Sequence, residues 1–253
     1  MSDPTRRFDD KVEDYARYRP SYPEGLFLDL DRLAWNQSSL VADIGAGTGL
    51  FSRLVAPRVA QVVAIEPNLP MREQGIADSA AFANMEWRDA TGETTGLPDQ
   101  SVDALTCAQA FHWLDPVRAA VEWRRILKPG GPVVLVWNER DEEASALQSE
   151  YELLLNRWCP EYPKVNHKNL TREKIEDFFA PQLVTVLKHP NNQRFDLEGW
   201  RGRLRSASYC PASGQPGNEE MMGCLAALFS KYRDSDGLMT FPYRTTTYVS
   251  RLS

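Results

Sequence analysis

Short apolar runs alternate with segments of mixed polarity from Leu40 onward, and this alternation is the dominant pattern in the chain. Brief, nearly continuous apolar runs are typical of strands buried on both faces, and the segments between them are long enough for helices. The pattern therefore predicts an α/β fold in which helices wrap a parallel sheet. Strands are expected near residues 40–45, 60–66, 84–89, 102–109 and 132–137.

The segment after the fourth predicted strand carries both a start signal and a stop signal for a helix. Asp115 precedes Pro116, an order in which the aspartate caps the helix and the proline occupies its first turn. The run continues to Leu127 and meets Lys128-Pro129-Gly130-Gly131, which cannot extend a helix. A helix followed by a buried strand is therefore expected here.

Beyond Trp137 the pattern is looser, and the elements are read from weaker signals. Residues 209–220 are rich in proline and glycine and are expected to form a loop. The remaining expected elements are helices near 142–158, 171–180 and 219–232, and strands near 183–188 and 244–250.

A chain of 253 residues suits one α/β domain that carries an insertion. Residues 1–39 precede the first strand and are expected to form a helical segment over the ligand edge of the sheet. The core is expected to span 40–190 and to be completed by a final strand at 241–253. Residues 191–240 are expected to form a cap that covers the substrate.

Composition and charge exclude several classes of protein. The formal net charge of −6 disfavours a nucleic-acid-binding protein, which needs a basic surface. Apolar runs such as Val133 to Trp137 are far shorter than the roughly 20 residues that span a bilayer. The N-terminus is polar and charged, with no pattern typical of a targeting signal. A soluble, cytoplasmic protein is therefore expected.

The cysteines and histidines do not predict a metal site. The four cysteines lack CxxC spacing, and the three histidines are scattered without a His-x-x-x-His pair. Neither a disulfide framework nor a bound metal is expected from these residues.

The candidate chemistry begins with a glycine-rich turn that leaves the first predicted strand. Asp43-Ile44-Gly45-Ala46-Gly47-Thr48-Gly49 combines an acid with three closely spaced glycines. A phosphate-binding P-loop would place Lys and then Ser or Thr after the last glycine, where Leu50 and Phe51 stand. The dinucleotide fingerprint would place a small residue at position 50, and Asp43 would repel a pyrophosphate, so that alternative is weakened but stays open.

The same seven residues resemble motif I of the class I S-adenosylmethionine-dependent methyltransferases. That cofactor carries an ammonium and a sulfonium and no phosphate, so an acid at the entrance of the loop would attract the ligand electrostatically. The resemblance implies that Asp43 attracts the ammonium and that the backbone of Gly45, Ala46, Gly47 and Gly49 approaches the ligand. The alternative is a tight strand-to-helix turn in which Asp43 only caps the helix.

Three further positions match the same family. Glu66 ends the second strand 17 residues after Gly49 and, with Pro67, is implied to hold the ribose hydroxyls, although an exposed Glu at a strand end is the simpler alternative. Asp89 and Ala90 follow the third strand and are implied to contact the adenine, unless Asp89 only caps a turn.

The fourth strand ends in Gln109-Ala110-Phe111-His112-Trp113, which resembles the Q-A-x-H-W of many small-molecule members. The chain is most similar to the methyltransferase type 11 group, which includes trans-aconitate methyltransferase. The resemblance implies a Rossmann-like fold: a mostly parallel seven-stranded sheet with helices on both faces, an antiparallel last strand and a helical cap. Gln109 is implied to contact the cofactor.

Residues that contact the methyl acceptor are less sharply indicated. His112 follows the fourth strand and titrates near neutral pH, so it is a candidate base, with a positioning role as the alternative. Trp113 is expected to form a pocket wall. A carboxylate acceptor needs a cationic clamp instead, because guanidinium grips carboxylates bidentately. The candidates are Arg17 or Arg19 beside Tyr15 and Tyr18, and Arg203 or Arg205 near Tyr209, with solvated surface side chains as the alternative.

We therefore expect a methyltransferase that moves the methyl group of S-adenosylmethionine to oxygen, or less readily to nitrogen, of a small organic molecule. The expected partner is a small-molecule acceptor, without nucleic acid, membrane or metal, in a monomer or homodimer. Two other hypotheses stay open at this stage. One is an NAD(P)-dependent oxidoreductase, and the other is a non-catalytic binding protein with the methyltransferase fold.

Overall fold

The computed structural model describes residues 17–140, 145–165, 171–207 and 209–252. Within these ranges one sheet contains seven strands. They are β1 Leu40–Ile44, β2 Gln61–Ile65, β3 Met85–Arg88, β4 Ala104–Ala108, β5 Pro132–Arg140, β6 Thr185–Phe195 and β7 Met239–Arg251. All seven strands lie where the sequence predicts strands, although the last three are longer than expected.

The strand order is β3-β2-β1-β4-β5-β7-β6. Strands β1 to β5 pair in parallel, whereas β7 is antiparallel to both of its neighbours. This topology confirms the predicted Rossmann-like α/β fold with an antiparallel last strand. The chain leaves β1 toward β2 on one side, and β4 lies on the other side, so a crevice forms at the carboxyl ends of β1 and β4.

The described helices fill the connections between the strands. The helix predicted after the fourth strand is confirmed. Its N-cap is Asp115, as predicted, and the Asp115 carboxylate accepts hydrogen bonds from the N–H groups of Val117 and Arg118. The helices are α1 Glu24–Leu33, α2 Leu50–Val55, α3 Leu69–Asp78, α4 Pro116–Ile126, α5 Ala146–Trp158, α6 Tyr162–Val165, α7 Arg172–Phe179, α8 Leu197–Arg205 and α9 Asn218–Tyr232.

Strands β6 and β7 extend well beyond the predicted segments 183–188 and 244–250. The sequence pattern stops at Lys188 because Pro190 and two asparagines follow, and these residues are poor strand formers. The pairing nevertheless continues from Thr185 to Phe195, because β6 is an edge strand that tolerates a proline and β7 supplies a complete antiparallel partner. The β6–β7 pair therefore extends beyond the end of β5.

Both faces of the sheet are buried by helices. Side chains on one face, including Ile44 and Leu105, pack with Trp123 of α4. Alternate strand residues on the other face, including Val41, pack with Phe27 of α1. Burial on two faces explains why these strands appear in the sequence as nearly continuous apolar runs.

A second hydrophobic cluster lies at the far end of the β6–β7 ribbon. Trp200 of α8 is fully buried there and packs against Tyr151 of α5 and Phe241 of β7, with ring centroids 4.8 Å apart in each pair. Met221 and Leu225 bring α9 into the same cluster. We call this unit, formed by α5, α8 and α9, the cap.

The division of the chain into segments 1–39, 40–190, 191–240 and 241–253 stays a prediction. Residues 1–16 lie outside the described residues. Helix α1 packs on a face of the sheet, and residues 17–23 lead from the cap to that helix. In the part of the chain that the structure describes, no helix combines the length and apolar character needed to cross a bilayer.

Candidate functional site

A cavity of about 410 Å³ opens at the carboxyl edge of β1, β2 and β4. Its volume lies within the range of small-molecule sites. The sheet contributes the loops that follow these three strands, and the opposite wall comes from Arg19, Pro20 and Tyr22 together with residues of the cap. The cavity therefore lies in the crevice that the sheet topology predicts.

The glycine-rich loop forms the floor of this cavity. Gly45, Gly47 and Gly49 have φ angles of 66°, 58° and 72°, which are in the left-handed region that favours glycine. A Cβ atom at Gly45 would lie 2.5 Å from the Cβ of Ala110, so the loop after β4 packs directly on this position. A Cβ at Gly47 would meet no described atom within 4 Å, so its open side is available to a ligand.

Asp43 lines the cavity and is almost completely buried. Its two carboxylate oxygens accept from the hydroxyls of Ser52, at 2.5 Å, and Thr106, at 2.6 Å. Among the described residues it contacts no cationic side chain. Burial raises the pKa of Asp43 to about 6, although the two hydroxyl donors oppose the shift. A buried acid without a cation fits a positively charged ligand.

Glu66 lies at the end of β2 and joins the glycine loop to the start of the next segment. One of its oxygens accepts from Gly47 N at 2.8 Å, and the other accepts from Asn68 N at 2.9 Å. Burial raises the pKa of Glu66, and the two backbone donors oppose that shift. Glu66 and Pro67 both line the cavity, so the carboxylate is positioned beside the open face of Gly47.

Asp89 and Ala90 lie outside the cavity lining, in an adjacent shallow depression. The Asp89 carboxylate pairs with the Arg72 guanidinium, at 2.9 Å and 3.1 Å. The Arg72 guanidinium also donates to the carbonyl of Glu66 at 2.6 Å, so it connects the ends of β2 and β3. The adenine-binding role of Asp89 and Ala90 stays a prediction.

The loop after β4 closes another side of the cavity. Gln109 has φ 59°, a left-handed conformation that is uncommon for a residue with a side chain, and its N–H donates to Val136 O at 2.8 Å. His112 and Trp113 lie in a short 3-10 helix, with ring centroids 4.7 Å apart, and both line the cavity. Buried Phe111 anchors this helix by packing against Trp123 of α4.

The structure separates the residues predicted to clamp an acceptor. Arg19, Arg203 and Tyr209 line the cavity. Arg205 instead pairs with Glu198 at 2.8 Å, on the outer side of α8. The remaining candidates are Tyr15, which lies outside the described residues, and Arg17 and Tyr18, which do not line the cavity and stack on each other at 5.3 Å.

Tyr18 has a structural position in the wall opposite the sheet. Its ring fills the space beside Gly202 of α8, where an added Cβ would lie 2.1 Å from a ring carbon. Its carbonyl accepts from Gln193 Nε2 at 3.1 Å, and the next residue, Arg19, donates to Ser206 O at 3.0 Å. Residues 17–23, which we call the strap, are therefore fastened to the cap and to β6.

Sequence reasoning missed part of the cavity wall. Arg140 and Asn138 come from the extension of β5, and Tyr162 and Tyr243 come from α6 and β7. The side-chain amide of Asn138 also donates to two carbonyls of the strap, those of Pro20 at 3.2 Å and Ser21 at 3.1 Å. The useful signal was the polar end of VVLVWNER, because the carboxyl end of a parallel strand faces the ligand crevice.

Cysteine, histidine and carboxylate groups do not assemble into a metal site among the described residues, where no cluster of three such side chains is found. The predicted residues that do meet at the cavity come from five separate segments. They are Asp43, Gly45, Ala46, Gly47, Glu66, Pro67, Gln109, His112 and Trp113, with Arg19, Arg203 and Tyr209 on the opposite wall.

Comparisons with known proteins agree with this fold. A family model described as a methyltransferase domain matches residues 42–135. An uncharacterised methyltransferase of Mycobacterium tuberculosis is 38% identical over 258 aligned residues, which cover 97% of this chain and 96% of the relative. A solved structure from Anaeromyxobacter dehalogenans, provisionally assigned as a type II methyltransferase, has a TM-score of 0.66 at 25% identity and covers 92% of this chain and 95% of its own.

A more distant structure shares the fold across the whole chain. The S-adenosylmethionine-dependent methyltransferase from Aquifex aeolicus has a TM-score of 0.52 at 17% identity, and 99% of both chains is covered.

Proposed function

Since this chain belongs to the methyltransferase domain family and uses S-adenosylmethionine, we propose that it transfers the methyl group to an oxygen atom of a small organic anion. The sequence left two other hypotheses open, an oxidoreductase and a non-catalytic binding protein. Family membership favours neither of them, because the chain belongs with the methyltransferases. The methyl acceptor is the part of the function that this proposal adds.

The floor of the cavity fits the cofactor in charge and shape. Asp43 offers a buried carboxylate to the ammonium, and Glu66 offers carboxylate oxygens to the ribose hydroxyls. Gly47 leaves room for close approach of the ligand to the backbone. We propose these roles for the three residues, together with backbone contacts from Gly45 and Ala46.

Gly45→Ala and Gly47→Ala are expected to fail in different ways. Both substitutions carry a left-handed penalty of roughly 1–2 kcal/mol. A methyl group at Gly45 also lies 2.5 Å from Ala110 Cβ, so we expect a lower melting temperature from overpacking. A methyl group at Gly47 contacts nothing within 4 Å, so we expect its main effect to be about tenfold weaker S-adenosylhomocysteine binding. Thermal melts and calorimetric titrations of both variants check this difference, and equal effects on stability would contradict it.

The cofactor supplies an electrophilic methyl group on sulfur when it is bound. The protein's contribution is to hold the acceptor oxygen in line with the carbon–sulfur bond and to exclude water from it. The strap and the cap provide the cover over the cavity, and the loop after β4 provides the opposing wall. His112 would orient a carboxylate, and for a hydroxyl acceptor it would accept the proton.

Arg203 is the observation that favours an anionic acceptor over an amine. This residue is 6% exposed, lines the cavity, and contacts no carboxylate among the described residues. Arginine remains protonated in proteins, and a buried cation without a counter-charge is costly. The wall therefore attracts an anion and repels a protonated amine. Its enclosed position also favours a small molecule over nucleic acid.

Radiolabelled S-adenosylmethionine tests the proposal with three matched panels of small carboxylic acids, alcohols and amines. We expect label in the acid panel, and we expect mild alkali to release it because methyl esters hydrolyse. Label that is confined to amines, or that is stable to alkali in every panel, would contradict transfer to a carboxylate. Binding of S-adenosylhomocysteine is measured in parallel, so that an unproductive panel is distinguished from an inactive preparation.

The pKa of Asp43 predicts how cofactor affinity depends on pH. Below about pH 6 the buried carboxyl group is protonated in the free protein and cannot pair with an ammonium. We therefore expect S-adenosylhomocysteine affinity to fall about tenfold per pH unit as pH decreases below 6 and to be nearly constant between 6.5 and 7.5. The pKa of Glu66 is also raised by burial, so Asp43→Asn is needed as a control. This variant should lose most of the pH dependence of S-adenosylhomocysteine affinity. An unchanged slope in Asp43→Asn would contradict the assignment.

A further inference from the structure

Arg72 is a buried cation that lies beside the cavity without lining it. It belongs to the first turn of α3, and its side chain is 11% exposed. The Asn68 side chain caps this helix by accepting from Met71 N at 2.9 Å, and the Asn68 carbonyl accepts from Arg72 N at 3.0 Å. The start of α3 therefore fixes the point from which the guanidinium extends toward the segments that follow β2 and β3.

The Arg72 guanidinium joins two segments whose residues the family resemblance assigns to the cofactor. Its Nη1 donates to the carbonyl of Glu66 at 2.6 Å and lies 3.1 Å from Asp89 Oδ1. Its Nη2 lies 2.9 Å from Asp89 Oδ2, so guanidinium and carboxylate meet in the two-point geometry that makes such pairs strong. Lysine carries a point charge and does not reproduce this planar pairing.

These contacts complete the restraints on Glu66. The Glu66 N–H donates to the Arg88 carbonyl of β3 at 3.1 Å, and the Glu66 carbonyl accepts from Arg72. Its two carboxylate oxygens accept from the N–H groups of Gly47 and Asn68. Main chain and side chain are thus both fixed, and Arg72 supplies the restraint on the carbonyl. A carboxylate that is already positioned binds a ligand at a smaller entropic cost.

Arg72 also acts on the charge of Glu66. Burial raises the pKa of this carboxyl group, whereas the two backbone donors and the Arg72 charge oppose the rise. Asp43 of β1 is the second charged group that acts on Glu66, and it raises the pKa further. Asp89, after β3, reaches this cluster as the partner of Arg72. The positive charge of Arg72 therefore favours ionised Glu66 against both burial and Asp43.

The position of Asp89 does not favour the adenine contact that the family resemblance implies. Asp89 and Ala90 lie outside the cavity lining, in the adjacent shallow depression. Both oxygens of Asp89 are on the Arg72 guanidinium, although the side chain is 71% exposed. A carboxylate in this position orients and neutralises a buried cation. Thr91 and Gly92, further along the same segment, are the residues that line the cavity.

We propose that Arg72 is a positioning residue for cofactor binding and that Asp89 is its counter-ion, in place of a contact with adenine. Neither residue touches the ligand in this arrangement. Asp89 orients Arg72, and Arg72 keeps the Glu66 carboxylate ionised and in place beside the cavity. This inference rests on the proposed role of Glu66 in cofactor binding and adds two residues that act through it.

Cofactor affinity measures the contribution of Arg72. S-adenosylhomocysteine is titrated calorimetrically into Arg72→Lys and Arg72→Met. We expect about 30-fold weaker binding in Arg72→Met and a loss below about fivefold in Arg72→Lys, since lysine keeps the charge but not the two-point pairing. Binding by Arg72→Met within about threefold of the parent would overturn the proposal.

Arg88→Met is the matched control. Arg88 lies on β3 one residue before Asp89, and its side chain pairs with Glu86 at 2.8 Å and donates to the Gly96 carbonyl at 3.2 Å. The side chain contacts none of the residues proposed to bind the cofactor, so affinity for S-adenosylhomocysteine should stay within about twofold of the parent. A loss in Arg88→Met equal to that in Arg72→Met would overturn the assignment to Arg72.

The pH dependence of affinity distinguishes positioning from a purely structural role. A carboxyl group accepts strongly from ribose hydroxyls only when it is ionised, and loss of the Arg72 charge raises the pKa of Glu66 further. As pH is lowered, affinity in Arg72→Met should therefore begin to fall at a higher pH than in the parent. Arg72→Lys should keep the parent profile. A loss in Arg72→Met that is equal at every pH would indicate general structural damage and would overturn the proposal.

S-inosylhomocysteine, in which a carbonyl replaces the adenine amino group, tests the role of Asp89. If Asp89 accepts from adenine, Asp89→Asn narrows the preference for S-adenosylhomocysteine, because an amide can donate to that carbonyl. For a counter-ion, we expect Asp89→Asn to weaken both ligands about fivefold and to leave the ratio of their affinities within about twofold of the parent. A ratio that falls about tenfold would overturn the counter-ion assignment.

A double variant, Arg72→Met with Asp89→Asn, tests whether Asp89 acts through Arg72. Once Arg72 is absent, Asp89 has no cation to orient, so the double variant should bind no more weakly than Arg72→Met alone. Additive losses would overturn the proposal. If thermal melts show that Arg72→Met does not fold, Asp89→Asn decides the outcome, because unchanged affinity for both ligands in that variant would also overturn it.

The proposals fail in different ways. If Glu66→Gln binds S-adenosylhomocysteine as the parent does, the proposed role of Glu66 is wrong, and the positioning role of Arg72 is wrong with it. If Glu66→Gln weakens binding while Arg72→Met and Asp89→Asn do not, the positioning proposal alone is wrong. Label confined to amines would contradict the proposed methyl acceptor and would leave these cofactor residues unaffected.

Discussion

Glu66→Gln is expected to weaken S-adenosylhomocysteine binding about 100-fold or more. We propose that the carboxylate accepts from ribose hydroxyls, and a hydrogen bond to a charged group contributes about 1.5–3 kcal/mol. Loss of charge from two such bonds amounts to about 3 kcal/mol, or roughly two orders of magnitude in affinity. The side chain also accepts from the N–H groups of Gly47 and Asn68, and glutamine would place an amide nitrogen against one of them. Calorimetric titration of the variant measures the loss.

Glu86→Gln is the control for this substitution. Glu86 lies on β3, is exposed, and pairs with Arg88 of the same strand at 2.8 Å, so its amide should leave cofactor affinity unchanged. A thermal melt of Glu66→Gln distinguishes two causes of weaker binding. An unchanged melting temperature indicates lost contacts with the ligand, and a lower one indicates that the glycine loop is displaced. Affinity within about threefold of the parent would contradict the role of Glu66 in ribose binding.

Gly202→Ala is expected to raise the acceptor KM by about 100-fold, although position 202 does not line the cavity. The added methyl would lie 2.1 Å to 2.6 Å from three ring carbons of Tyr18 and would displace that ring from α8. Such overpacking typically costs about 1–3 kcal/mol. The displaced strap would carry Arg19 and Tyr22 away from the cavity and admit water to it. Initial-rate kinetics with a saturating cofactor measure the change.

Gly223→Ala supplies a matched control on α9, because a Cβ there meets no described atom within 4 Å. We expect it to be neutral or slightly stabilising, since alanine favours a helix by roughly 0.5–1 kcal/mol over glycine. Cofactor affinity should change little in Gly202→Ala, because its contacts are on the opposite wall. An unchanged acceptor KM in that variant would show that Tyr18 does not position the strap.

The core elements were predictable because local sequence and tertiary environment favour the same structure. LVADI is apolar enough for burial on two faces, and Asp115 with Pro116 carries the start of α4 in adjacent residues. The glycine loop was predictable for a similar reason. Its positive φ angles are local requirements that glycine alone meets easily.

The lengths of β6 and β7 were not predictable in this way. Pro190 and the polar residues around it oppose a strand locally, and the strand forms because β7 pairs with it over its whole length. Residues 44 to 64 positions apart in the chain form those pairs, so no short window of sequence contains the signal.

The sequence by itself determined the family fold and indicated the residues that we propose to bind the cofactor, because each depends on a short motif whose backbone and charge requirements are local. The tertiary structure decided which arginines face the cavity. Arg203 and Arg205 are two residues apart on one helix, and only the packing of α8 on the β6–β7 ribbon sends the first inward and leaves the second paired with Glu198. Arg140 lines the same cavity as Arg203 because β5 stays paired with β7 as far as Arg140 itself. The amino-acid pattern alone does not specify that pairing.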